Sequence, residues 1–213
     1  MTAREQPTSV THFTRIEHLA AILQHGLLSD SEAHARSLLL IEVGNAGIKD
    51  QRRRRPVPIE PGGSVADYVP FYFGPRSPMM FAISRGNVPT YKDGTARLVY
   101  LVSSLERLHD LGLVPVLTDR NAALALADFR AFDPADLIDD EFIDWKLMRE
   151  RYWVDFPDGT ERRMAEALVH QAVPTKAFSL IVAQSEIVAV EARAILATAA
   201  ANIPVDVRPI WYF

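Results

Sequence analysis

The chain has 213 residues, 48% of them hydrophobic and 23% charged, with a formal net charge of −4 and no cysteine. That length buries a full core without cross-links, so residues 1–213 are expected to form a single domain, and the missing cysteines exclude disulfides and thiolate metal sites. A net acidic balance argues against a protein that coats nucleic acid through bulk charge, the opening residues show no leader pattern, and the Ala-rich stretch 192–201 is too short to span a bilayer, so the cytoplasm is the expected location.

In chain order, Val10 to Thr14 reads as a short strand carrying His12. Residues 15–27 follow with Ile16, Leu19, Ala20 and Leu23 on one helical face, Thr14 and Glu17 in capping-box spacing and Gly26 as the C-cap. Residues 30–42 read as helical or irregular. Residues 44–63, rich in Gly, Pro and Arg and holding the run Arg52 to Arg55, read as a loop. Asp67 to Met80 then crowds Tyr68, Phe71, Tyr72 and Phe73 into an extended run closed by Gly74 and Pro75. Pro70, Pro75 and Pro78 are incompatible with a helix interior, so the expectation is a strand ending in a rigid turn that presents Arg76 and Ser77. An aromatic wall beside a fixed cation suits a planar, charged ligand such as a nucleotide; the same pattern also serves a packed core strand. Strand alternation allows one set of these rings to face a cleft.

Residues 96–102 read as a buried strand, Ser103 to Leu105 as the start of a short helix, and 114–117 as another strand. Thr118-Asp119-Arg120-Asn121 is expected to open a helix over 122–129. From 131 to 160 the period is lost, and a loop this long is more often functional than idle. It carries an acidic stretch (Asp133, Asp136, Asp139, Asp140, Glu141, Asp144) followed by a basic and aromatic one. There Trp145, Tyr152, Trp153 and Phe156 are candidates to stack unpaired bases while Arg149, Arg151 and Arg162 hold phosphates, with core packing the alternative for the aromatics. Strands at 168–173, 178–183 and 204–210, with a helix over 186–199, complete an α+β pattern. The chain has no phosphate-binding G-x-x-x-x-G-K-[ST] loop, no G-x-G-x-x-G turn, no H-E-x-x-H helix and no credible ligand spacing among its six histidines, so neither a metal nor a Rossmann cofactor domain is expected.

Three blocks together resemble one family. Gly44-Asn45 ahead of the arginine run, the Tyr68 to Met80 block, and Ala165-Glu166-Ala167-Leu168-Val169 are similar to the DarT type of DNA ADP-ribosyltransferase toxin, over a span from about His12 to Phe213. The resemblance implies the ADP-ribosyltransferase fold, two packed central β-sheets flanked by helices, with NAD bound between them as a substrate. It implies Glu166 as the catalytic carboxylate, Arg52 as the arginine beside the NAD phosphates and the acceptor base, and His12, with Thr14 near it, at the adenosine ribose. The register within Arg52 to Arg55 is open by a residue. Tyr72 is the candidate for the nicotinamide side, and Arg76 and Ser77 either reach the ligand or only fix the turn. Transfer of ADP-ribose passes through an oxocarbenium-like transition state, which a carboxylate stabilises.

Met164 stands two residues before Glu166, where arginine-modifying transferases place Glu, which argues against a guanidinium acceptor. It fits the nucleobase that the resemblance implies, thymine in single-stranded DNA first and guanine as in a related branch. The implied partner is a macrodomain antitoxin that removes the modification. The alternatives are an RNA or protein ADP-ribosyl- or phosphotransferase on the same fold, and a non-catalytic NAD or nucleic-acid sensor.

Overall fold

The computed structural model describes residues 7–135 and 141–213. The opening residues of the expected leader-free start, and Asp136, Asp139 and Asp140 of the acidic stretch, lie outside the described residues.

The first strand, β1 (Ser9–Arg15), runs through a 3-10 turn into α1 (Leu19–His25), which Gly26 ends at φ 81°. The buried face of this segment is Ile16, Leu19 and Ile22, whereas Ala20 is exposed. The expected capping box does not form. Thr14 Oγ1 bonds His18 Nδ1 at 2.9 Å, and Glu17 pairs with Arg15 and Arg97. The short β2 (Leu27–Leu28) leads into α2 (Asp30–Ala35), capped by Ser29.

The expected loop over 44–63 begins instead as a helix, α3 (Ala46–Arg54). Asn45 caps it, its Oδ1 accepting from the N–H groups of Gly47 at 2.9 Å and Ile48 at 3.3 Å. Beyond the cap most residues other than Gly47 and Asp50 are good helix formers until Arg55, which the following Pro56 pushes into an extended conformation. The glycines and the run of charge hid this helix because it has no apolar stripe.

Next come β3 (Tyr68–Tyr72) and α4 (Pro78–Ser84), the latter opened by Ser77 as N-cap with Pro78 in its first turn, where proline is tolerated. β4 (Leu98–Ser104) leads directly into α5 (Leu105–Asp110), capped by the Ser104 hydroxyl. β5 (Val116–Thr118) follows. The helix expected over 122–129 is absent: the segment turns back and ends in β6 (Phe129–Ala131). Its N–H groups are spent elsewhere, Asn121 on the Glu161 carbonyl, Ala122 on Glu166 and Asp128 on Asp119. Two short helices, α6 (Trp145–Arg149) and α7 (Gly159–Arg162), break up the long segment before β7 (Glu166–His170) and β8 (Ala172–Val173). The chain closes with β9 (Leu180–Ala183), α8 (Glu186–Thr198) and β10 (Val205–Val207).

Eight strands form one sheet in the order β10-β9-β4-β1-β3-β7-β5-β6, and β2 pairs with β8 in a small second one. β1 and β4 pair along seven residues, but β1 meets β3 only at Thr11 and Tyr72. The large sheet is therefore two four-stranded halves joined at one point, an α+β arrangement with a cleft opening where they part. Among the described residues no helix is long and apolar enough to cross a membrane.

Candidate active site

The cleft holds about 460 Å³ and is walled by β1, β3, α3 and the start of α4. Strand alternation decides which aromatics it receives. Tyr68, Pro70 and Tyr72 face it, while Phe71 and Phe73 enter the main core. On α3 the residues Asn45, Ile48, Lys49 and Arg52 recur at the spacing of one helical face, and all four line the cleft.

Glu166 is the first residue of β7 and only 1% exposed. Arg52 Nη1 donates to its two oxygens at 2.9 and 3.0 Å, and the Ala122 N–H donates to Oε2 at 3.0 Å. Every one of these contacts is a donor, as an ionised carboxylate requires. The Glu166 N–H in turn donates to Thr118 Oγ1 at 3.1 Å, which fixes the strand end. The β3–β7 register sets Tyr72 directly opposite Glu166. Burial, and then the Glu166 charge, raise the Tyr72 hydroxyl well above the ordinary range, so it stays a neutral phenol.

The four arginines separate cleanly. Arg52 reaches Glu166; Arg53 pairs with Asp50 and Asp30 at the surface; Arg54 is exposed; Arg55 donates to the carbonyls of Ala125 and Ala127. Arg52 Nη2 is buried with no protein partner, an orphaned donor at the wall of the cleft. Unpaired buried donors are costly, which makes this one a natural contact for an anionic or carbonyl group of a ligand.

His12 lines the cleft from β1, and its Nδ1 donates to the Pro70 carbonyl at 2.8 Å, leaving Nε2 as an acceptor. Desolvation lowers its pKa from 6.5 to about 4 against the opposing effect of that hydrogen bond, and the Arg52 charge adds to the fall. The ring is neutral at physiological pH. Thr14 also lines the cleft, although its hydroxyl is engaged by His18. At the rim Asp30, His34 and Glu42 gather their ligand atoms within 4.8 Å, but the Lys49 ammonium bonds both carboxylates, filling the place of a cation.

Arg76 and Ser77 are not brought to the cleft. Arg76, at φ 60°, donates to the Tyr212 carbonyl and lies 3.9 Å over the Phe213 ring; Ser77 is buried as the α4 cap. Both act on the turn itself. The loop aromatics divide as well. Trp145 (5% exposed) packs edge-on against Phe73, and Trp153 (7%) against Phe81 and Phe213, so neither indole offers a face to a base. Tyr152 is 62% exposed with the Arg151 guanidinium over its ring, and Arg149 and Arg151 are exposed near it. Arg162 pairs with Asp144 at 3.4 Å. Sequence reasoning missed Asn121 and the Ala122 N–H, both beside Glu166, because the segment reads as a helix.

The chain as a whole is similar to known proteins in sequence and in fold. Residues 11–213 match the family described as ssDNA thymidine ADP-ribosyltransferase, DarT. The DNA ADP-ribosyl transferase of Thermus sp. (strain 2.9) is 36% identical over 211 residues, covering 98% of this chain and 97% of the relative. The solved structure of Thermus sp. 2.9 DarT in complex with ADP-ribosylated ssDNA has a TM-score of 0.91 at 35% identity, covering 100% of this chain and 99% of that one. In complex with NAD+ the same protein gives 0.86 at 34% identity, over 98% and 99%. A DNA ADP-ribosyl transferase-DNA ADP-ribosyl glycohydrolase fusion protein of Thermosipho africanus (strain H17ap60334) is 27% identical over 204 residues, which are 95% of this chain and 48% of the fusion. With the match running across nearly its whole length, the chain belongs to the DarT family of DNA ADP-ribosyltransferases.

Proposed function

We propose that this enzyme transfers ADP-ribose from NAD to a base of single-stranded DNA, thymine first, and releases nicotinamide. The observation that carries the reading is Glu166, a buried carboxylate gripped by Arg52 and a backbone N–H at the wall of a cleft large enough for a dinucleotide. A carboxylate so held costs no reorganisation when positive charge develops before it, the condition for electrostatic stabilisation of an oxocarbenium-like transition state.

The bond between ribose C1′ and the nicotinamide nitrogen breaks, and the electron pair leaves with neutral nicotinamide. A base nitrogen such as thymine N3 then bonds to C1′ while its proton passes to the Glu166 carboxylate. The free Nη2 of Arg52 supports a role toward negative charge on the NAD phosphates or on the base. Neutral His12 suits the adenosine ribose, adding no charge to a cleft that must hold a cationic sugar, and Tyr72 supplies an apolar wall with a hydroxyl for the nicotinamide side. Met164, whose Sδ lies 3.8 Å from Asn121 Nδ2 in the cleft lining, supports a nucleobase over a guanidinium acceptor.

On the acceptor side, Arg149, Arg151, Tyr152 and Arg162 are the residues that hold the strand. The whole chain acts as one catalytic domain, a view supported by a sheet that draws strands from Ser9 to Val207. It works as a toxin in the cytoplasm, where NAD and transiently single-stranded DNA meet. Its partner is a macrodomain antitoxin that cleaves the new bond, a pairing supported by the glycohydrolase joined to the Thermosipho africanus relative. The test is to incubate the protein with labelled NAD and separate pools of single-stranded DNA, duplex DNA, RNA and protein, then locate the label by mass spectrometry. Label on thymine of the single strand supports the reading; label confined to RNA or protein overturns it.

A further inference from the structure

Arg163 is 3% exposed, yet no carboxylate among the described residues pairs with it. Its Nη1 donates to the Met148 carbonyl at 2.9 Å and touches Met148 Sδ at 3.5 Å, and its Nη2 donates to the Pro75 carbonyl at 2.7 Å. The Nε is buried without a partner. An apolar side chain of similar volume would fill this space without the penalty of burying a cation, so packing does not account for the residue. What a guanidinium adds is a rigid fork that bonds two backbone carbonyls at once. Here the two belong to different segments, the end of α6 and the turn between β3 and α4. Gly74 is fitted to the same contact: a Cβ there would stand 3.1 Å from Arg163 Nη1 and 3.1 Å from the Met148 carbonyl oxygen.

The two segments have separate duties. The turn opens α4, whose Pro78, Met79 and Ala82 line the cleft, whereas α6 runs into the exposed Arg149, Arg151 and Tyr152. We propose that Arg163 is a positioning residue for the acceptor strand, a buried latch that sets the Arg149 to Tyr152 surface at a fixed place relative to the NAD cleft. The inference rests on the acceptor-surface reading above and names the residue that orients that surface.

The test compares the full-length protein with Arg163→Met, which fills the space without donors, and with Gly74→Ala, which keeps the arginine and obstructs its seat. Each variant is assayed for backbone hydrogen–deuterium exchange over residues 146–152, KM for single-stranded DNA, kcat and NAD affinity. Both should exchange faster in that segment and show at least a tenfold higher KM for DNA, with kcat and NAD affinity within about threefold of the parent. If Arg163→Met fails to fold, Gly74→Ala carries the test. Unchanged exchange overturns the latch, and so does faster exchange with an unchanged KM. Arg151→Ala and Tyr152→Ala with Arg163 intact separate the two readings. If these raise the KM for DNA while the latch variants do not, only the latch fails; if none of the four does, the acceptor surface itself was misplaced.

Discussion

The cleft wall and the segment proposed to take the acceptor strand solve opposite problems. Around Glu166 the main functional side chains are buried or half-buried and supplied by regular elements: β7 carries the carboxylate, α3 the arginine and β1 the histidine. Between residues 145 and 153 the order is inverted, with the aromatics Trp145 and Trp153 inside as anchors and the charges of Lys146, Arg149, Glu150 and Arg151 outside. A group that must meet a transient cation gains from fixed, dry surroundings, where electrostatic effects are strongest. A surface that must take up a flexible strand gains from exposed charge and an exposed ring on a firmly seated backbone.

Substitutions that break the two regions should therefore read differently. The largest effect is expected from Glu166→Gln, which keeps the shape and removes the charge. Transfer should fall by about a thousandfold or more while NAD affinity stays within roughly tenfold, as for a group acting mainly in the transition state. Near-normal turnover would show that another group stabilises the sugar. Arg52→Ala comes next, with a loss of about a hundredfold, since it removes the partner of a buried carboxylate as well as the free Nη2 donor. Arg54→Ala, at an exposed position on the same helix, should change rates by less than about threefold. Equal losses would reduce the run to a general basic patch.

In the acceptor segment the indoles and the exposed ring should part company. Trp153→Ala should cost about 3 to 5 kcal/mol of stability, as for a large core residue, and lower the melting temperature. Tyr152→Ala should leave the melting temperature unchanged and weaken the DNA reaction about tenfold, within the ~1 to 3 kcal/mol of a lost base stack. A drop in melting temperature for Tyr152→Ala, or none for Trp153→Ala, would invert this assignment.

The smallest effect concerns pH. His12 titrates at about 4 in the folded chain against an ordinary 6.5, so the unfolded chain binds its proton first as pH falls. The stability associated with the neutral ring is complete above about pH 6.5 and is lost progressively down to about pH 4. His12→Gln should flatten that part of a melting-temperature profile, and an unchanged slope would show that the histidine does not carry it.

Much of the fold was legible because its signals are local. The α8 helix, the β1 and β4 strands and the Ser104 cap follow from periodicity and capping chemistry confined to a few neighbouring residues. The aromatic strand and its proline-bounded turn follow from backbone restrictions that no tertiary context removes. Resemblance pointed to Glu166, Arg52, His12 and Tyr72, and the structure places all four in one cleft.

Other features were decided only by contacts distant in sequence. Residues 122–127 have helical composition but turn, because their N–H groups meet Glu166 and neighbouring acceptors first. Arg76 looks like a ligand-binding cation until the C-terminal residues claim it, and Trp145 and Trp153 look like stacking rings until Phe73, just past β3, and Phe81 of α4 pack against them. Arg163 differs from Arg162 by one position in a charged run, yet one is buried across two carbonyls and the other lies in a half-buried ion pair with Asp144. A residue type states which bonds it is able to make; whether water or protein makes them depends on which segments the fold brings together, since burial is a property of the assembled chain.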